Sequence, residues 1–152
     1  MRSILTLTVL LAFSFMSKAQ NNKPEYDAEL AKQLGADEYG MKMYVFAILK
    51  TGPNTISDKK VLDSLFAGHM NNIKRLADIG KLSLAGPFGK NDKTYRGLFI
   101  LNVSKIEEAT ELLQTDPTIK EKVFEVELYP WYGSAALSQY LPFHEKIQKS
   151  SF

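Results

Sequence analysis

Met43-Tyr44-Val45-Phe46-Ala47-Ile48-Leu49 is the stretch that decides the fold. Tyr, Val, Phe and Ile favour a pleated strand. Alternation along the strand puts Met43, Val45, Ala47 and Leu49 on one face and Tyr44, Phe46 and Ile48 on the other. Both sets are apolar, so both faces of this strand need a cover. On its C-terminal side, Thr51-Gly52-Pro53-Asn54 makes a turn. A helix then starts near Ser57 or Asp58 and ends at Gly80. Asp58 and Asp63 near its start, with Lys74 and Arg75 near its end, suit the helix dipole. Lys81 to Ala85 reads as a short strand, Gly86 to Thr94 as a loop, and Tyr95 to Val103 as another strand. Ser104-Lys105-Ile106-Glu107 has the form of a capping box opening a second helix, whose apolar face is Ile106, Ala109, Leu112 and Leu113. Asp116-Pro117 ends that helix, because the residue before proline is pushed out of helical geometry. Val123 to Tyr129 is the last strand, and Pro130 stops it.

The order strand, helix, strand, strand, helix, strand is the ferredoxin-like βαββαβ pattern of the α+β class. It predicts an antiparallel sheet with two helices on one face. Those helices cover one face only, whereas the first strand is apolar on both. A second copy of the same sheet is the economical cover, which predicts a homodimer closing a dimeric α+β barrel.

At 152 residues, one domain is expected. Residues 1–19 read as a signal peptide: Arg2 is basic, Ile4 to Met16 is apolar, and Ser17-Lys18-Ala19 suits a peptidase cutting after Ala19. A secreted or periplasmic protein follows, with no membrane span after cleavage, and no Cys follows the apolar run to take a lipid. Residues 20–42 form an N-terminal segment with a short helix ended by Gly35. Residues 43–131 are the domain, and residues 132–152 are an extension with room for a short helix.

The formal charge of +2 is accounted for by Arg2 and Lys18 of the leader, so no nucleic-acid surface is indicated. There is no Cys, which excludes disulfides, thiolate metal sites and a cysteine nucleophile. The two His residues, His69 and His144, have no metal-ligand spacing, and no nucleophile elbow or phosphate loop is present. Neither a metal nor a cofactor is expected.

His69 is where packing and chemistry compete. It lies on a helical stripe with Leu62, Leu65, Phe66, Ile73 and Leu76. Either the ring is a core polar group bonded to backbone, or it faces a cavity where an imidazole, with its ordinary pKa near 6.5, serves as acid or base. Asp116 has two readings as well: a turn cap before Pro117, or the carboxylate that fixes the imidazole tautomer. Gly86, Pro87 and Phe88 form either a pocket rim or a simple turn. Asp92, Lys93, Tyr95 and Arg96 in the same loop either orient an acidic ligand or are solvated surface. Glu125 and Glu127 are paired cavity acids or outward-facing carboxylates of an edge strand. Trp131 and Tyr132 read as interface or core aromatics.

His69, the Gly80-Lys81-Leu82 turn leading to Ala85-Gly86-Pro87-Phe88, Gly97, the Ser104 to Ala109 helix start, Asp116-Pro117 and Val126-Glu127-Leu128-Tyr129-Pro130-Trp131 form an ordered set. Together they resemble the YciI-like (YCII-related) family, over about Met43 to Trp131. The resemblance implies a dimeric ferredoxin-like α+β barrel, similar in fold to muconolactone isomerases and chlorite-dismutase-like proteins. It also implies a His and Asp active-site pair, matched here by His69 and Asp116. A chloromuconate dehydrochlorinase is similar to this family, most of whose members have no assigned reaction. The signal peptide and the extensions at both ends are departures from the short members. The resulting expectation is a cofactor-independent lyase or isomerase using His69 on a small organic substrate, with Gly86, Pro87, Phe88 and Tyr95 as binding residues. The alternative is a non-catalytic small-molecule-binding or interaction module on the same scaffold.

Overall fold

A computed structural model describes residues 25–150; the signal-peptide stretch lies outside the described residues. In chain order the elements are α1 (Ala28–Leu34), β1 (Met41–Thr51), α2 (Lys59–Asp78), β2 (Leu82–Pro87), β3 (Tyr95–Leu101), α3 (Ile106–Leu113), α4 (Pro117–Lys120) and β4 (Phe124–Ser134). A 3-10 segment (Ala135–Tyr140) and α5 (Leu141–Ile147) follow. The strands form one antiparallel sheet in the order β2-β3-β1-β4, a ferredoxin-like α+β arrangement. The sheet is open at β2 and β4, so no barrel closes within one chain.

The central strand behaves as its two apolar faces require. Val45, Ala47 and Leu49 join Phe99 and Leu101 of β3, Leu76 of α2 and Leu113 of α3 in the main core. On the opposite face Tyr44 is fully buried; its ring lies 5.8 Å from Trp131 and its hydroxyl donates to Ser134 O at 2.8 Å. The 3-10 segment covers this end of the face, with a 2.8 Å hydrogen bond between Ser138 Oγ and Ser83 Oγ on β2. Phe46 and Ile48, further along the same face, are half-buried, and Tyr129 beside Phe46 is 48 % exposed. The C-terminal extension therefore covers part of the second face and leaves the rest open.

Local chemistry explains the helix ends. The Asp58 carboxylate accepts from the amides of Lys60 and Val61, and Gly80 adopts the left-handed conformation (φ 70°) that closes α2. The structure departs from or adds to expectation at four points. The capping box does not form: α3 begins one residue later, with Lys105 at its N-cap and no side-chain cap bond. Asp116-Pro117 opens a further helix as well as following one, since proline suits the first helical position, where no amide hydrogen is needed. Pro130 does not stop β4, which runs on to Ser134; β4 is an edge strand, where a missing N–H costs no ladder bond on its open side. In addition, β2 extends to Pro87, so Gly86 and Pro87 belong to a strand and not to the loop.

Candidate active site

The site is assembled where α2, α4 and the inner sheet face meet. Gly68 is what allows α2 and α4 to approach: a Cβ there would lie 2.6 Å from Pro117 Cγ. A glycine inside a helix costs up to about 1 kcal/mol relative to alanine, so its presence here is explained by contact and not by propensity. The adjacent loop is tied down by Thr115, whose hydroxyl donates to Asn72 Oδ1 at 2.9 Å and accepts from Arg75 Nη2 at 2.7 Å. Both partners sit on α2, three and six residues beyond His69.

This packing brings His69 Nδ1 to 2.6 Å from Asp116 Oδ2. Asp116 is completely buried and His69 nearly so, at 9 % exposure. The other carboxylate oxygen, Oδ1, accepts from the Thr118 amide at 2.9 Å and the Thr118 hydroxyl at 2.6 Å. Both readings of Asp116 are therefore realised together: Oδ1 caps α4, and Oδ2 meets the imidazole. Burial pushes the Asp116 carboxyl up, but hydrogen bonds from His69 and Thr118 and the attraction of the imidazole outweigh it. The group is held below the ordinary carboxylate range. An ionised carboxylate only accepts, so Nδ1 carries the hydrogen between them, and in a neutral imidazole Nε2 is then the nitrogen with the lone pair.

Nε2 has no hydrogen-bond partner among the described residues, and His69 lines a cavity of about 670 Å³. That volume lies within the usual range for small-molecule pockets. The ring is clamped by Phe99, stacked at 5.9 Å between centroids, and by Phe124, edge-on at 5.5 Å. Leu62, Phe66, Met70 and Ile73 continue the wall along α2. The apolar stripe of this helix thus divides: Leu76 is sealed in the core, while Leu62, Phe66, His69 and Ile73 line the cavity, and Phe66 is 38 % exposed.

Of the sequence-derived candidates, His69, Gly86 and Pro87 line this cavity, and Asp116 stands behind His69 without lining it. Phe88 and Tyr95 lie off its wall and pack on each other, with ring centroids 5.9 Å apart. Glu127 faces away from the site and pairs with Lys50 Nζ at 2.7 Å. Tyr132 donates to Asp37, which holds that carboxyl low, and Trp131 covers Tyr44. His144 is exposed on α5. Sequence reasoning missed Gly68, Thr118 and Phe124; an unexplained glycine next to a histidine in mid-helix was the available signal for the first. Among the described residues, no three His, Asp or Glu side chains gather as a metal-ligand group, and no helix is long and apolar enough to cross a membrane. A second concavity of about 500 Å³ runs along the edge of β4, where Lys50 and Glu127 neutralise each other.

Sheet order and site geometry define the class as a ferredoxin-like α+β protein with a buried His–Asp pair on a cavity. The model of the YCII-related domain matches residues 43–132, more than half of the chain, and the protein belongs to that family. No curated protein matches it. Among solved structures, it is similar to the 5-chloro-2-hydroxyhydroquinone dehydrochlorinase of Burkholderia phenoliruptrix in complex with 2,5-dihydroxybenzoquinone. The identity is 21%, covering 57% of this chain and 92% of that one, with a TM-score of 0.40.

Proposed function

We propose that the protein is a cofactor-independent lyase or isomerase in which His69 is the general acid and base and Asp116 its positioning residue. The observation that carries this is the 2.6 Å bond from buried Asp116 to Nδ1, which leaves Nε2 open to an apolar cavity. In such a site Nε2 takes a proton from a carbon next to a carbonyl, and the electron pair moves onto the carbonyl oxygen as an enolate. Asp116 stabilises the imidazolium so formed. Returning the proton to another carbon gives an isomerase; expelling a leaving group from the neighbouring carbon gives a lyase. A sealed ring with no adjoining void would have favoured the packing role, and His69 has a void beside it.

Thermal-shift screening against small carboxylic acids and lactones, followed by turnover assays on the hits, tests this, since a bound ligand raises apparent stability. His69→Gln is expected to lower turnover by about a hundredfold or more while keeping the fold and ligand binding; unchanged turnover would refute the role. The proposal extends to location and assembly: export after cleavage at Ala19, and a homodimer in which a second copy covers Phe46, Ile48 and Tyr129. Mass spectrometry of the exported chain and sedimentation at micromolar concentration check these two points, and a monomer would remove the second.

A further inference from the structure

Arg96 stands on the same cavity wall as His69, but at its exposed rim. Among the described residues it is the one permanently charged side chain lining that cavity. Its placement comes from a break in the β1–β3 register: Leu49 pairs with Gly97 and Lys50 with Tyr95, so Arg96 has no partner across the ladder. Unbroken alternation would put Arg96 on the face opposite Gly97 and Phe99. A bulge bends the strand and re-aims a side chain, and here Arg96 lines the cavity together with both of those residues. The guanidinium is held by one end: Nε donates to Thr51 Oγ1 at 2.6 Å, and that hydroxyl in turn donates to Thr94 O at 3.4 Å. Arg96 forms no ion pair among the described residues, and no carboxylate lines the cavity.

A guanidinium fixed through Nε presents its two terminal nitrogens as a planar fork, which matches a carboxylate in two parallel hydrogen bonds. The remaining walls, Phe66, Phe99, Phe124 and Ile73, suit an apolar ring or chain. We propose that the cavity selects small organic carboxylates, with the carboxylate on the Arg96 fork and the apolar body reaching inward to His69 Nε2. This rests on the cavity being the substrate site. It adds the class of substrate and the residue that reads it.

Calorimetric titration of the protein with benzoate and cinnamate, against benzamide and cinnamamide as neutral counterparts of like shape, tests the assignment. The carboxylates are expected to bind at least about tenfold more tightly than the amides, as charge-assisted bonds imply. Arg96→Gln should erase that preference by weakening carboxylates only, and Arg96→Lys should restore part of it. Melting curves of both variants should match the parent, since Arg96 is exposed. Equal binding of acids and amides, failure of both acids to bind, or a preference that survives Arg96→Gln would overturn the proposal. Failure of the acid–base role has a different signature: His69→Gln would leave turnover intact while the Arg96-dependent preference persisted.

Discussion

Asp116 and Glu127 each meet a basic side chain at nearly the same distance, 2.6 Å to His69 Nδ1 and 2.7 Å to Lys50 Nζ, in opposite surroundings. Glu127 sits beside Ile48 on the sheet face away from α2, where it is partly exposed. Its hydrogen bond to Lys50, and a second from Tyr129, hold its carboxyl low, and the same contact raises Lys50. Water and salt screen such a pair, and exposed pairs contribute little. Asp116 is sealed from water, fully hydrogen-bonded, and placed against the ring of a histidine that lines a cavity. Equal geometry therefore has unequal consequences. The surface pair is replaceable, whereas the buried pair fixes a tautomer and an element boundary at once.

The strongest way to break the contrast is Asp116→Ala. It strips the His69 ring and two Thr118 donors of their acceptor and removes the α4 cap, for a loss of about 3 kcal/mol in denaturant unfolding, along with activity. Asp116→Asn keeps the shape and is expected to stay folded with turnover down by orders of magnitude, because an amide no longer enforces a hydrogen on Nδ1. His69→Gln should lower turnover by about a hundredfold or more with little change in melting, measured on whichever substrate the screen identifies. Gly68→Ala sharpens the comparison from a distance. The added methyl meets Pro117, α4 must shift, and turnover is expected to fall by about tenfold or more while helix propensity offsets the stability loss. Glu127→Gln, on the sheet face away from the site, should leave turnover unchanged and cost far less in melting than Asp116→Ala.

Acid unfolding separates the same two regions. Asp116 binds its proton more weakly folded than unfolded, so the unfolded chain takes up more protons as pH falls. Its contribution to stability is present above the unfolded value, near 3.8, and is lost as pH drops through the lower folded one. Stability plotted against pH should therefore fall at the acid end, and Asp116→Asn should flatten that limb. A wild-type profile matching that of Asp116→Asn would contradict the depressed carboxyl.

Much of this was legible in the chain. The continuous apolar run Met43 to Leu49 and the stripe from Leu62 to Leu76 give a strand covered on both faces and a helix face, because residue type and period are local properties. His69 stood out on its apolar stripe, the family resemblance paired it with Asp116, and the structure brings the two side chains together. What stayed hidden depends on distant contacts. Phe88 read as a binding residue beside Gly86-Pro87 and Tyr95 as one from the loop that follows, but the strand continues to Pro87 and the two rings pack on each other. Arg96 was one of four polar residues in a loop until the register break aimed it at the cavity. The double use of Asp116 needed Gly68, whose missing side chain lets two helices touch.

Nitrogen-detected NMR of the imidazole-labelled protein tests the central claim most directly, by reading which ring nitrogen of neutral His69 carries the hydrogen. The account predicts hydrogen on Nδ1, an unprotonated Nε2 whose resonance moves when benzoate fills the cavity, and loss of that tautomer preference in Asp116→Asn. A hydrogen on Nε2, with resonances indifferent both to benzoate and to Asp116→Asn, would contradict it.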